Sequence, residues 1–229
     1  MDTAIGFIGA GNMAEAMIRG LRAAGVAGEN ILVTTRSRFD RLDHLKAEWG
    51  VVPLRDKGEV VASAPTLVLA MKPQDLKEAM AEMGPMITGR HLVITVLAGV
   101  RCATVEGYLN GAPVVRAMPN LPMAVQASTT ALAYGRTAAP VHRAAARALF
   151  DLVGHTVEVS EDLMDAVTAL SGSGPAYVYL LMEALIDVAL QVGFSLEVAR
   201  DMAVQTIYGT GKLVKETGAD PALLRHRVT

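Results

Sequence analysis

The stretch AIGFIGAGNMAEAMIRGL, from Ala4 to Leu21, narrows what this chain can fold into more than any other part of it. Ala4, Ile5, Phe7 and Ile8 make a short apolar run that ends in glycine, the pattern of a strand buried on both faces of a parallel sheet. Gly9, Gly11 and Ala14 then complete G-x-G-x-x-A. The first glycine permits a tight strand-to-helix turn, the second lets backbone approach a pyrophosphate, and the small third residue lets the helix pack close to the sheet. Met13, Ala14, Met17 and Leu21 recur at helical spacing, which predicts an amphipathic helix from about Asn12 to Ala24, stopped by Gly25. Its first N–H groups and its dipole make an anion site beside the loop. Between a strand and a helix, the motif points to a dinucleotide.

Alternation continues downstream. Strands are predicted at Ile31–Thr35, Val51–Leu54, Thr66–Ala70, His91–Leu97, Pro113–Ala117, Ser128–Tyr134 and Thr156–Val159. Between them come a helix carrying Phe39, Leu42, Leu45 and Trp49, one starting near Pro73, and an Ala-rich one from Val141 to Val153. The fold class is therefore α/β, a doubly wound, mostly parallel Rossmann-type sheet over residues 1–159. From 160 to 229 only helical periodicity remains, predicting an all-α second domain. Its helices are Glu161–Leu170, Pro175–Val192, a third capped by Ser195, and a fourth opened by Asp220 and Pro221. So much apolar helix in about 70 residues predicts self-association through this half.

Composition removes other classes. A net charge of −2 and a pI near 6.2 give no basic footprint for nucleic acid. Cys102 is the lone cysteine, and His44, His91, His142, His155 and His226 lack ligand spacing, so no metal site is expected. The apolar stretch Ala176–Phe194 contains Glu183 and Asp187, which argues for a buried helix over a membrane span. No charged leader precedes the first apolar run, and with the single thiol this predicts a reducing, cytoplasmic setting.

The chemistry is concentrated in the loops after strands, where open α/β sheets bind ligands. After the second strand come Thr35, Arg36, Ser37 and Arg38, with no carboxylate before Asp40. A guanidinium and a hydroxyl there suit the 2′-phosphate of NADP, with NAD as the alternative. Ala70, Met71, Lys72 and Pro73 follow the fourth strand, Ala98 and Gly99 the fifth, and Asn120 lies between Pro119 and Pro122 after the sixth. These, with Gly9, Ala10, Gly11, Asn12 and Met13, are the candidate cofactor residues, Asn120 at the nicotinamide end. A second concentration is Ser171-Gly172-Ser173-Gly174-Pro175-Ala176-Tyr177, two hydroxyls and two glycines at a helix–helix junction. Its exposed N–H groups suit a carboxylate substrate.

In GFIGAGNMAEAM at 6–17, AMKPQ at 70–74, LAGV at 97–100, RAMPN at 116–120 and DAVTALSGSGPAYVY at 165–179, the chain resembles the pyrroline-5-carboxylate reductases over essentially its whole length. The resemblance implies reduction of the cyclic imine 1-pyrroline-5-carboxylate to L-proline with NAD(P)H, and helical domains paired in dimers. It assigns the junction to the substrate region, with Thr168 and Ser173 as the catalytic-site polar contacts and Gly174 and Pro175 beside them. Lys57 aligns where the family usually carries Asn, as a contact to the adenosine phosphate. The family continues past the final Val-Thr with a Ser-Pro-Gly-Gly-Thr loop and further helix. This chain stops at Thr229, where that loop would begin, so the helical domain reads as shortened at its C-terminus. Were that the true end, substrate binding and dimer packing would be impaired, and a sequence that is cut short is the simpler explanation.

Two other readings stand beside it. One is another NADP-dependent reductase of the β-hydroxyacid dehydrogenase-like architecture. Such an enzyme would want a lysine on the helix after a glycine turn, where this chain has Ala176, Tyr177 and Val178. The other is a non-catalytic dinucleotide-binding or membrane-tethering relative.

Overall fold

The computed structural model describes residues 3–228. Strand β1 (Ile5–Ile8) leads through the glycine turn into helix α1 (Asn12–Ala23), then β2 (Ile31–Thr34), α2 (Phe39–Trp49), β3 (Val52–Pro53) and α3 (Lys57–Ser63). Next come β4 (Thr66–Leu69), α4 (Leu76–Met83), β5 (Leu92–Thr95), α5 (Cys102–Glu106), β6 (Val114–Met118), β7 (Ser128–Tyr134), α6 (Pro140–Asp151) and β8 (Gly154–Glu158). The eight described strands form one sheet in the order β3-β2-β1-β4-β5-β6-β7-β8. All neighbours are parallel except β6 and β7, which pair antiparallel with Val115 opposite Tyr134. The sheet is thus mostly parallel, as the alternating pattern requires.

Side chains alternate across each strand, so each strand feeds two cores. Ile5, Phe7, Ile31, Val33 and Ile94 join Met17, Leu21, Leu45, Leu149 and Phe150 from α1, α2 and α6. Ile8, Leu67, Leu69, Val93 and Val114 join Val60, Leu76, Met80 and Val105 from α3, α4 and α5. Burial on both faces explains why the strands read as unbroken apolar runs.

The expected division at 159/160 is not where the compact units part. The first unit runs to Ser173 and the second begins at Gly174. At the end of the first unit, the segment expected as one helix over 161–170 is a 3₁₀ turn at Glu161–Leu163, a short α7 (Met164–Val167) and a π turn at Thr168–Gly172. Two features keep it on the sheet. Met164 is buried with Met118, Ala131 and Ala133, and Val167 packs against them. Arg116 on β6 is only 2% exposed and reaches this segment through Asp165 at 3.2 Å and Glu161 at 3.8 Å.

The second unit holds α8 (Gly174–Gln191), α9 (Leu196–Thr217) and α10 (Pro221–His226). Ser195 caps α9 by accepting from the Val198 N–H, and Asp220 caps α10 ahead of Pro221. Helices α8 and α9 pack on each other, burying Ala199 and Ala203 of α9. No residue of α8 is buried, which departs from the buried helix expected there. Leu180 is 67% and Val188 59% exposed. By length and composition alone, the run 161–191 is apolar enough to cross a membrane.

Candidate functional site

The strand order reverses direction between β1 and β4, and there the carboxyl ends of β1, β2 and β4 open onto a cavity of 610 Å³. This is the switch-point crevice in which open α/β sheets bind ligands. Its floor is backbone. The Gly9 N–H donates to the Thr34 carbonyl and the Ala70 N–H to the Ile8 carbonyl, both at 2.9 Å. Gly9 has φ +120°, and a Cβ on it would lie 2.5 Å from the Ala70 carbonyl carbon. Only glycine fits, for conformation and for space. At Gly11 the situation is reversed, since a Cβ there would meet nothing within 4 Å and would project into the open. Gly11 is also the N-cap of α1 and supplies no side-chain cap, so the first-turn N–H groups face outward.

Of the expected cofactor residues, Gly9, Ala10, Gly11, Asn12, Met13, Arg36, Ser37, Lys57, Ala70, Met71 and Lys72 all line this cavity. Pro73, Ala98 and Gly99 do not. Pro73 opens the 3₁₀ turn ahead of α4, and Ala98 and Gly99 follow β5, one strand beyond β4. Lys57, at the start of α3, is held by Glu82 at 2.5 Å.

Asn120 departs further from expectation. Its Oδ1 accepts from the Thr129 N–H at 3.1 Å and its Nδ2 donates to the Ser171 carbonyl at 3.0 Å. It is 8% exposed, so this amide ties the loop after β6 to the π turn instead of presenting itself to a cofactor. The bond sets Thr168–Gly172 at the carboxyl end of β6, the same sheet edge as the glycine turn. There the Thr168 hydroxyl donates to the Met164 carbonyl at 2.9 Å, leaving its oxygen as an acceptor. Ser173 is exposed, and its N–H closes the π turn on the Thr168 carbonyl at 2.8 Å. Gly174 and Pro175 open α8. Single π turns inside helices are frequent at functional sites.

Several cavity residues carry no local sequence signal. Arg41 on α2 donates to the Ala10 carbonyl at 3.3 Å and pairs with Glu15 of α1, steadying the glycine turn. Asp75 and Glu78 also line the cavity, and both bind Arg36 Nη1, at 3.1 and 2.8 Å. These partners, the Glu78 hydrogen bond foremost, raise the pKa of Arg36 above its ordinary value. Cys102 is no nucleophile: burial first, and then Glu161, push its thiol up to about 12.

The uncapped helix end, the open space at Gly11 and the guanidinium after β2 together fit a phosphorylated dinucleotide. Comparison with known proteins agrees. Residues 161–229 match the family described as pyrroline-5-carboxylate reductase dimerisation, and residues 4–99 match NADP oxidoreductase, coenzyme F420-dependent. Pyrroline-5-carboxylate reductase 2 of Bacillus subtilis is 40% identical over 227 residues, covering 98% of this chain and 81% of that protein. The solved pyrroline-5-carboxylate reductase of Coxiella burnetii has a TM-score of 0.89 and 37% identity, covering 100% of this chain and 86% of that one. The Plasmodium falciparum pyrroline carboxylate reductase, solved with NADP bound, has a TM-score of 0.90 at 25% identity, covering 100% and 84%.

Proposed function

Because this chain belongs to the pyrroline-5-carboxylate reductase family, we propose that the crevice at β1 and β4 holds NADP and that the π turn with the start of α8 receives the imine. The chain is an NAD(P)H-dependent oxidoreductase that reduces 1-pyrroline-5-carboxylate to L-proline, the last step of proline biosynthesis. The observation that carries the site assignment is the glycine turn opening, uncapped, into a cavity at the sheet's switch point.

Gly9 to Met13 would hold the pyrophosphate, through N–H groups that no side chain occupies. Arg36 and Ser37 would take the 2′-phosphate, and Lys57 and Lys72 line the same cavity. When bound, the reduced nicotinamide supplies a hydride. A C=N that is already protonated needs orientation and exclusion of water more than a strong acid, which accords with a site offering hydroxyls and no histidine. Thr168 offers an acceptor lone pair, the polarity an iminium N–H requires. Ser173 and the backbone N–H of Gly174 are proposed to face the substrate carboxylate, with Pro175, which has no N–H, beside them.

The apolar faces of α8 and α9 are proposed to be covered by a second copy of the chain rather than by a bilayer, in keeping with the dimerisation family matched there. The lone buried thiol supports a cytoplasmic setting.

The test is oxidation of NADPH with 1-pyrroline-5-carboxylate, run beside open-chain hydroxy acids. Turnover of the imine alone is expected. Turnover of hydroxy acids instead would overturn the substrate assignment. Thr168→Ala and Ser173→Ala should each lower kcat/KM, and unchanged turnover and KM in both would remove them from the site.

A further inference from the structure

The geometry points to Glu78, assisted by Asp75, as the residue that sets how strongly the crevice prefers a 2′-phosphorylated nucleotide, by competing for the guanidinium of Arg36. This rests on the dinucleotide reading of the crevice.

Arg36 is the cation the chain places directly after β2, where a 2′-phosphate would lie. In the structure it is engaged across the cavity mouth. Its Nη1 meets Glu78 Oε2 at 2.8 Å and Asp75 Oδ1 at 3.1 Å, and all three residues line the cavity. A phosphate dianion arriving at this guanidinium must displace carboxylates from it and then remain beside their charges. A ribose hydroxyl meets no such opposition. It can donate to a carboxylate, the role an acidic residue at the end of the second strand plays in NAD-binding sheets. Here that position is empty of acids, and the acids come from the far wall.

The far wall cannot withdraw. Glu78 stands in the first turn of α4, which is anchored by buried Leu76, Ala79, Met80 and Met83. The competition must therefore be settled by side-chain rotation. The pairs lie in water, with Arg36 56% and Glu78 67% exposed, so they are displaceable and sensitive to salt. The two acids are 39 and 42 residues from Arg36 in sequence, so these contacts join the loop after β2 to the start of α4.

The experiment measures binding of 2′,5′-ADP and 5′-AMP, which differ only in the 2′-phosphate, to the whole chain by calorimetry. Glu78→Gln should tighten 2′,5′-ADP about two- to fivefold, the scale of a surface charge pair, while 5′-AMP changes less than about 1.5-fold. Adding Asp75→Asn should extend the gain, and high salt should shrink it. In an Arg36→Gln background the gain from Glu78→Gln should vanish. Equal changes for both nucleotides, no change, or a gain that survives without Arg36 would each overturn the competition. Parent protein that binds neither nucleotide would sink the dinucleotide reading itself, a distinguishable result.

Discussion

Arg116 is buried under the segment that carries the π turn, and its charge has few partners. Its Nε has none among the described residues, Nη2 meets Asp165 at 3.2 Å, and Nη1 meets Glu161 at 3.8 Å. Asp165 is 86% exposed, so its pairing is worth about 0–1 kcal/mol. Glu161 is 22% exposed and also accepts the Cys102 N–H at 2.5 Å, which makes it the partner that matters. Breaking a fully buried pair costs about 3–5 kcal/mol. The 3.8 Å separation and the residual exposure of Glu161 reduce this, so Glu161→Gln should cost about 2 kcal/mol. For a chain of this size that is a fall of roughly 4–8 °C in Tm. Urea unfolding followed by circular dichroism measures the global loss. Hydrogen exchange of the amides over 164–173 should rise further, because that segment hangs on the ion pair. Combining Glu161→Gln with Arg116→Met should recover stability, since no buried charge is then left unpaired. A loss below about 0.5 kcal/mol, or one no larger than that of Asp165→Asn, would refute the reasoning.

Asn120→Leu keeps the size of the side chain and strands the Thr129 N–H and the Ser171 carbonyl, at about 1–3 kcal/mol each. Steady-state kinetics should show a raised KM for the imine and a lowered kcat with NADPH affinity intact; weakened NADPH binding alone would return Asn120 to the cofactor. For Glu15, burial alone would raise the pKa, but the hydrogen bonds and charges of Arg41 and His44 outweigh it and hold the carboxyl below its ordinary value. A depressed folded-state value gives stability present above the unfolded glutamate's roughly 4.3 and lost as pH falls through the folded value. Glu15→Gln should therefore cost about 1 kcal/mol or less at neutral pH, a cost that shrinks as pH falls below the unfolded glutamate's value, as urea unfolding across that range would show.

What could be read from the sequence was whatever is local. The strand at Ile5–Ile8, the turn at Gly9 and Gly11 and the caps at Ser195 and Asp220 each declare themselves within a few residues. Helices α3 and α5 leave no sequence signal because seven and five residues are too few for periodicity to show. The boundary expected at 159/160 stands beside a dimerisation family that begins at residue 161, while the compact units part after Ser173, because Met164 packs on Met118, Ala131 and Ala133 and Arg116 meets Glu161, contacts that nothing near Ser160 announces. The same holds for Asn120 and Ser171, 51 apart, and for Arg36 and Glu78. An amide between two prolines looks available until its partners are known.

The floor of the crevice is joined by main-chain bonds, Gly9 to Thr34 and Ala70 to Ile8, with Arg41 bracing the turn. Its shape is consequently insulated from most substitutions in the residues that rise above it. A lineage, or an engineer, can exchange the charges on the walls to retune which nucleotide is favoured without rebuilding the platform beneath them.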